Sequence, residues 1–495
     1  MLKRLEETQT TMTIYTKVIL NLLLLSLKLV ATSELESKPG ISSIEVKGKQ
    51  FINSQTGEPF LIKGLAYQPG GSADVNEDQD PLSEPTICSR DIPLFQQLGV
   101  NTIRVYSINP DLNHDYCMSL LAMAGIYLIL DVNSPLPNQH LNRYEPWKSY
   151  NPFYMEHVFK VVKQFSNYSN TLAFFAGNEV VNDFKSSQLS PRYVKQLIGD
   201  IKMFSDKHCP RTIPIGYSAA DDLNYRVSLS NYLACYNDST PMQIVDFYGV
   251  NSYQWCGQQT LKTSGYDLLI DAYKDYSRPV ILSEFGCNKV LPRKFGEIEG
   301  IFSQEMLKVF SGGLAYEYSQ ESNNYGLVEI LDEGDIKLLS DFHELKNQYC
   351  SIDLANVKVE ISKDDMGDVP CVDQYKNLNV NMEIAEELSK DLIEDGVEVE
   401  VGKHIAINLN KIHINEAIYN ADGTPWKDNT GLKVVYDLFP QTKEKTVSKH
   451  DEKGKERKET TDSKKKNTAT SIKCLSIYDW VVIISAITLL VITMF

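Results

Sequence analysis

The sequence lacks what several protein classes need. Lys and Arg total 49 against 65 Asp and Glu, a formal net charge of −16. That balance argues against a nucleic-acid partner. No glycine-rich phosphate loop follows the first strand-like run: Tyr67-Gln-Pro-Gly-Gly71 has the wrong spacing and no lysine. A doubly wound nucleotide-binding sheet is thereby disfavoured. Only eight His are present, and no Cys/His pairs stand at the close spacing of a zinc site. Neither a metal nor an organic cofactor is expected. Long apolar runs are missing from the interior of the chain and occur only near its ends.

The first of these, Val18 to Val30, is broken only by Asn21, Ser26 and Lys28. The small residues of Ala31-Thr-Ser33 follow it, so residues 1–33 read as a signal peptide. Glu6 and Glu7 are out of place in a basic leader, which makes Met12 an alternative start. The second run, Trp480 to Phe495, is shorter than the about 20 residues of a spanning helix. A polar spacer, Thr470 to Asp479, and the small residues Asn467-Thr-Ala469 precede it. This order is that of a GPI-attachment signal, with Asn467 as the expected attachment residue, Ser471 as second choice and residues 468–495 removed. A tail-anchored helix is the alternative, and the N-terminal signal argues against it.

A secretory route permits disulfides. Of nine Cys, Cys474 falls in the tail to be removed. The remainder is an even set: Cys88, Cys117, Cys209, Cys235, Cys256, Cys287, Cys350 and Cys371. Spacing alone chooses no pairing among them. Glycosylation sequons stand at Asn167-Tyr-Ser169 and Asn237-Asp-Ser239. The 27 Tyr and 18 Phe are plentiful, as in clefts that use rings as sugar platforms, though Tyr-rich surfaces have other uses.

Residues 44–60 read as a hairpin turning at Ser54-Gln-Thr-Gly57. From there brief apolar or β-branched runs alternate with helical patterns. The runs are 60–67, 101–108, 127–132, 171–177, 213–217, 246–253, 279–285 and 313–318. Asn151-Pro152 signals a helix start before Val158, Val161, Val162 and Phe165, and Ser190-Pro191 does so before Val194, Leu197, Ile198 and Ile201. Gly99 and Gly125 stop the two preceding helices. Strand-then-helix repetition of this kind predicts an α/β fold, a (β/α)8 TIM barrel.

Such barrels place their chemistry where strands end. Those ends carry Tyr67, Tyr106, Asp131 with Asn133, Asn178 with Glu179, Asp221 with Arg226, Tyr253, Glu284, and Tyr316 with Glu317 and Tyr318. Each alone has a bland reading as a cap or a rim aromatic; their shared location is the signal. Leu172-Ala-Phe-Phe-Ala-Gly-Asn-Glu179 and Val280-Ile-Leu-Ser-Glu284 both run from apolar interior to carboxylate. Two strand-end glutamates across a barrel mouth are the apparatus of glycoside cleavage. One protonates the leaving oxygen and the other attacks the anomeric carbon. Asn178 is placed to bond the sugar 2-hydroxyl, and Tyr253 to orient the nucleophile.

Gly177-Asn-Glu179, Ser283-Glu-Phe-Gly-Cys287, Asn101-Thr-Ile-Arg-Val-Tyr106 and Gly313-Leu-Ala-Tyr-Glu-Tyr-Ser-Gln320 resemble the fungal GPI-anchored β-1,3-glucanosyltransferases of glycoside hydrolase family 72. The resemblance runs from about Ile44 to about Asp341. It implies a retaining enzyme that cuts inside a β-1,3-glucan and passes the new reducing end to the non-reducing end of another chain, elongating wall glucan. It implies Glu179 as acid/base and Glu284 as nucleophile, with Tyr106, Asn178, Asp221, Arg226, Tyr253 and Tyr316 at the donor sugar. It also implies bridges Cys88–Cys117, Cys235–Cys371 and Cys256–Cys287, leaving Cys209 and Cys350 as a pair by the even count alone. The expected partners are glucan donor and acceptor chains and, through the anchor, the outer face of the plasma membrane, with passage to the wall left open. A monomer is expected. An endo-β-1,3-glucan hydrolase and a catalytically silent glucan-binding protein are the alternatives.

The barrel is assigned to residues 34–345. Some relatives carry a cysteine-rich carbohydrate-binding module next; no cysteine stands between Cys371 and Cys474 here, so that module is not expected. Alternation across Val397 to Ile418 suggests one or two strands, and residues 346–440 are assigned to a small β appendage. Residues 441–467, rich in Lys and Glu without apolar pattern, read as a disordered stalk.

Overall fold

Eight short runs of apolar and β-branched residues pair edge to edge until the sheet closes on itself. The strands are β1 (Ile62–Ala66), β2 (Thr102–Val105), β3 (Tyr127–Asp131), β4 (Thr171–Asn178), β5 (Ile215–Ala219), β6 (Phe247–Asn251), β7 (Val280–Phe285) and β8 (Phe310–Ala315). All neighbours are parallel, and β8 pairs with β1 to complete the barrel. This computed structural model describes residues 38–71, 75–359, 369–384, 388–412, 414, 416–427 and 431–439. The signal peptide, the stalk, Asn467 and residues 468–495 lie outside the described residues.

A principal helix follows each strand: α1 (Pro85–Leu98), α2 (Asp115–Ala124), α3 (Pro152–Phe165), α4 (Pro191–His208), α5 (Arg226–Ala234), α6 (Tyr266–Tyr273), α7 (Glu297–Ile301) and α8 (Ser340–Ser351). Gly99 and Gly125 end α1 and α2 in the left-handed conformation, at φ 74° and 77°. The Asn151 side chain caps α3 by accepting from the Tyr154 amide. Ser190 precedes α4 as expected but does not cap it; its hydroxyl donates to the Arg143 carbonyl instead. Val158, Val161, Val162 and Phe165 of α3, and Val194, Leu197, Ile198 and Ile201 of α4, are buried in the layer between helices and sheet.

A separate cluster fills the barrel. Ile62, Ile129, Phe175, Phe247, Ile281 and Leu314 meet there, joined by Ile44 and Phe51 from a hairpin of Ile44–Lys47 and Gln50–Asn53. The hairpin closes the end where the strands begin, with the Phe51 ring 5.4 Å from that of Phe247. Apolar filling below leaves the polar groups to gather at the opposite mouth.

The bridges Cys88–Cys117, Cys235–Cys371 and Cys256–Cys287 are formed. Cys209 carries a free thiol, so the pairing with Cys350 guessed from the even count is not made. The C-terminal region also differs from expectation. Instead of a small β appendage, the strands among its described residues are Ile418–Tyr419, paired with Ile336–Leu338, and Tyr436–Asp437, paired with Lys38–Pro39. Apart from a short helix at Lys390–Asp395, the other described residues are largely an extended strap laid across the barrel helices. The amide of Gly402 donates to the Gln164 carbonyl, that of Lys403 to Asp115 and that of Ile405 to Ser119. An extended chain with one side against helices alternates apolar and polar residues just as a strand does. That periodicity was read as sheet. The exposed Asn167 of the first sequon donates to the strap at Gly402, 2.7 Å away, whereas the second sequon residue, Asn237, is exposed in the loop after α5.

Gly312 of β8 has φ +91°, and a Cβ there would lie 2.1 Å from the Ile62 carbonyl oxygen across the β8–β1 seam. Backbone cannot yield as a side-chain tip does. Gly312→Ala is therefore expected to lose about 3 kcal/mol or more of stability. Thermal unfolding of the secreted protein checks this, and a melting temperature within a degree of wild type contradicts the seam.

Candidate active site

The nucleophile candidate, Glu284, stands near the end of β7 and is 7% exposed. Its Oε1 accepts from the Tyr106 hydroxyl at 3.0 Å and from Arg104 Nη1 at 3.4 Å; its Oε2 accepts from the Tyr253 hydroxyl at 2.6 Å. Burial pushes this carboxyl upward from the ordinary glutamate range. The Arg104 charge and the Tyr253 hydroxyl pull it back, the nearby Glu179 pushes it up again, and Tyr106 opposes. Each of these hydrogen bonds comes to Glu284 from a donor, so the surroundings are shaped for the carboxylate rather than the acid.

Arg104 holds the arrangement together. It is completely buried on β2 and grips Asp131 of β3 through two bonds, Nε to Oδ1 at 2.9 Å and Nη2 to Oδ2 at 2.8 Å. Its Nη1 also reaches the Ser283 carbonyl and Ser218 Oγ. The guanidinium lies 4.3 Å from the Tyr106 ring centroid and 4.5 Å from that of Phe175. Burial raises the Asp131 carboxyl, and Arg104 works against it.

The acid/base candidate, Glu179, follows the last residue of β4. Its φ of 50° is left-handed, a conformation that costs a non-glycine residue about 1 kcal/mol or more. Its amide is fixed to the Ser218 carbonyl of β5 at 2.8 Å. Asn251 Nδ2 donates to Glu179 Oε1 at 2.7 Å and reaches Asn178 Oδ1 at 3.4 Å. Asn251 Oδ1 accepts from Ser218 and Ser283. Asn251 of β6 is the register partner of Glu284 of β7, so the residue that bonds Glu179 stands beside Glu284 in the sheet.

Four tyrosines surround Glu284. The Tyr316 ring lies 6.4 Å from Tyr106, 6.2 Å from Tyr253 and 5.3 Å from Tyr325. The buried Arg293 donates to the Tyr316 and Tyr325 carbonyls and pairs with Asp341, fixing both loops. Cys256–Cys287 joins the segments just after Tyr253 and Glu284. A third carboxyl, Glu317, is 3% exposed, and burial pushes it up to about 7, opposed by the Asn323 amide at 2.8 Å.

Other strand-end residues serve the frame. Asp221 accepts from Arg226 at 2.7 Å and from the Tyr253 amide at 3.1 Å, so it steers the Tyr253 backbone. Arg226 is buried beneath it and does not open onto the cleft. The hydroxyls of Tyr67 and Tyr318 both donate to Asp91, away from the mouth. Asn133 bonds the Ala176 carbonyl and the Tyr154 hydroxyl. Arg104, Asn251, Ser218, Ser283 and Tyr325 were not among the expected site residues. For Arg104 a signal was present, a charge inside the apolar strand Thr102-Ile-Arg-Val105. Among the described residues no group of three or more His, Cys, Asp and Glu is arranged to hold a metal.

A closed parallel barrel with two glutamates at its mouth, one cradled by phenols and a guanidinium, defines a carbohydrate-cleaving enzyme of the two-carboxylate type. The family model described as glucanosyltransferase, glycoside hydrolase family 72, matches residues 33–353, and the chain belongs to that family. It is 59% identical over 399 residues to 1,3-beta-glucanosyltransferase GAS4 of Saccharomyces cerevisiae, covering 80% of this chain and 85% of that one. It is 44% identical over 398 residues to 1,3-beta-glucanosyltransferase gel2 of Aspergillus fumigatus, covering 79% of this chain and 82% of the relative. Among solved structures, a mutant of Saccharomyces cerevisiae Gas2p in complex with laminaritetraose and laminaripentaose superposes with a TM-score of 0.62 at 37% identity, covering 71% of this chain and 76% of that one.

A hydrogen bond donated to a carboxylate favours its charged form. Tyr253→Phe is therefore expected to raise the Glu284 carboxyl further, so that protonation silences it at a higher pH. The acid limb of the kcat/KM profile should move to higher pH, with kcat down about ten-fold or more. An unmoved acid limb in the variant contradicts the assignment of Glu284 as the ionised partner.

Proposed function

We propose that this protein is a retaining β-1,3-glucanosyltransferase. The observation that carries the reading is Glu284 held by Arg104, Tyr106 and Tyr253, with Glu179 held by Asn251, the register neighbour of Glu284. Glu284 attacks the anomeric carbon while Glu179 gives its proton to the departing glycosidic oxygen, leaving a covalent glycosyl ester on Glu284. An acceptor hydroxyl then attacks the same carbon, Glu179 takes its proton, and the ester bond to Glu284 breaks. Two inversions retain the β configuration. Asn178 is assigned to the sugar 2-hydroxyl, and Tyr106, Tyr253 and Tyr316 to the donor site, with Asp221 and Arg226 acting through the Tyr253 loop. Laminari-oligosaccharides, present with the Gas2p relative, support a β-1,3-glucan as substrate.

The signal-like residues 1–33 and the GPI-like tail with Asn467 support a secreted enzyme anchored at the outer face of the plasma membrane, acting on wall glucan.

Reduced laminari-oligosaccharides incubated with the enzyme should yield chains longer than the substrate. Products that are only shorter would assign a hydrolase instead. Glu179→Gln and Glu284→Gln should each lower the rate roughly a thousand-fold without altering the circular dichroism spectrum. Substantial activity in either folded variant refutes the assignment.

A further inference from the structure

Lys195 of α4 carries a buried ammonium without an anion. It is 4% exposed, and its Nζ donates to the carbonyls of Tyr232 at 2.8 Å and Cys235 at 2.9 Å. The same nitrogen lies 5.1 Å from the Tyr232 ring centroid and 3.6 Å from Cys235 Sγ. Among the described residues no carboxylate pairs with it. Burial pulls it down to about 7, and the charges of Arg192 and Lys202 push the same way. A buried charge that nothing answers is costly. The proposed reaction makes no use of this lysine.

The sulfur beside it belongs to the bridge Cys235–Cys371, which has an inner and an outer end. Cys235 is buried, whereas Cys371 is half-buried and flanked by Val369 and Val372, both exposed. The bridge also fastens the head of the strap. The Cys371 amide donates to the Tyr236 carbonyl, and the Tyr236 amide to the Val369 carbonyl. A few residues further on, the Asn379 amide donates to the Ser187 carbonyl and Asn377 Nδ2 to the Asn224 carbonyl. Ser187 lies in the segment leaving β4 and Asn224 in the one leaving β5. The head of the strap is therefore seated against two loops of the barrel mouth.

Thiol–disulfide exchange selects a sulfur by access and by the stability of the thiolate that leaves. Access favours attack at Cys371. A cation beside a cysteine favours its thiolate, so Cys235 is the better leaving group. Once it has left, it supplies the anion that Lys195 lacks. We propose that Cys371 is a site of reversible S-thiolation by low-molecular-weight thiols, with Lys195 stabilising Cys235 as it departs. The attacking thiolate bonds to Cys371 Sγ, the Cys235–Cys371 bond breaks, and its electron pair leaves on Cys235. A second thiolate attacks the small-molecule sulfur of the adduct and releases Cys371 as a thiolate. Two thiols are thereby oxidised to their disulfide and one protein disulfide is reduced. Opening the bridge frees the head of the strap from the loops that hold it.

Cys256–Cys287 is the internal control, since it likewise joins a half-buried to a buried sulfur but has no Lys195 at either end. The folded protein, its free Cys209 thiol first alkylated, is incubated with glutathione, quenched with acid and mapped by peptide mass. In the wild type the glutathione adduct should sit on Cys371, and Cys235–Cys371 should open about ten-fold or more faster than Cys256–Cys287. Lys195→Gln and Lys195→Met should slow that opening about ten-fold. A loosened fold would speed it instead, so misfolding does not imitate the expected result. Hydrogen exchange at the Cys371 and Asn379 amides should rise once the bridge is open. An adduct on Cys235, or wild-type opening no faster than at Cys256–Cys287, overturns the proposal whatever the variants do. Unslowed opening in a variant whose circular dichroism matches wild type overturns the role of Lys195. Unchanged exchange with the bridge open overturns the release of the strap.

Discussion

A guanidinium with no access to solvent is costly unless its charge is answered, and Arg104 is answered on three sides. Asp131 receives two of its N–H groups, the third nitrogen is shared among Glu284, Ser218 and Ser283, and two aromatic faces cover it. Taking such charges from water costs several kcal/mol per ion, recovered only by good geometry and satisfied lone pairs. The consequence is specificity of position. Arg104, Asp131, Ser218 and Glu284 sit on four different strands, and the cluster is complete only when the barrel is closed. The residue that anchors Glu284 also requires the fold to form around it.

Rigidity at the mouth has further sources. Asn251 joins Glu179 to Ser218 and Ser283 through one side-chain amide, so Glu179 is referred to the strand that carries Glu284. Arg293 fixes the loops of Tyr316 and Tyr325, and Cys256–Cys287 links the segments after Tyr253 and Glu284. Outside the barrel, the C-terminal strap crosses α3 and α2 by backbone bonds and is anchored near its start by Cys235–Cys371. A bridge spanning a sequence separation of 136 residues restricts the unfolded chain considerably, and the strap adds contacts between helices that the barrel alone leaves as neighbours.

The barrel was legible because its signal is redundant. Each strand is a short apolar run, each helix has its own period, and glycine or proline separates them, so shifts of one to three residues at strand ends change nothing in the topology. The two glutamates were legible because a carboxylate at the tip of an apolar strand is locally anomalous. Tyr67 and Tyr318 show where that reasoning fails. They occupy strand ends as Tyr106 and Tyr316 do, but their hydroxyls turn outward to Asp91, and side-chain direction follows from a pleat that a one-residue offset reverses. Asn251 was overlooked because an amide in a run of Phe, Tyr, Gly and Val reads as an interruption; its role exists only across the barrel, between strands far apart in sequence. The strap was misread for a similar reason. Alternation reports that one side of an extended chain is buried, and does not say whether a strand or a row of helices lies beneath.

The mouth is asymmetric, and the asymmetry follows the reaction. Around Glu284 the groups are buried, cross-linked and mutually packed, with phenols and a guanidinium fixed before any substrate arrives. The proposed covalent bond to one oxygen of Glu284 would need that precision, since stabilising charge by fixed dipoles requires no rearrangement when the bond forms. Glu179 sits differently, at a left-handed turn where β4 gives way to a half-open loop. On the proposed retaining mechanism its task is carried out twice, once toward a chain that departs and once toward one that arrives, and both pass the same residue. A fully enclosed site would hold the first chain and exclude the second. On that mechanism the fold encloses the half that keeps its sugar and leaves open the half that exchanges one.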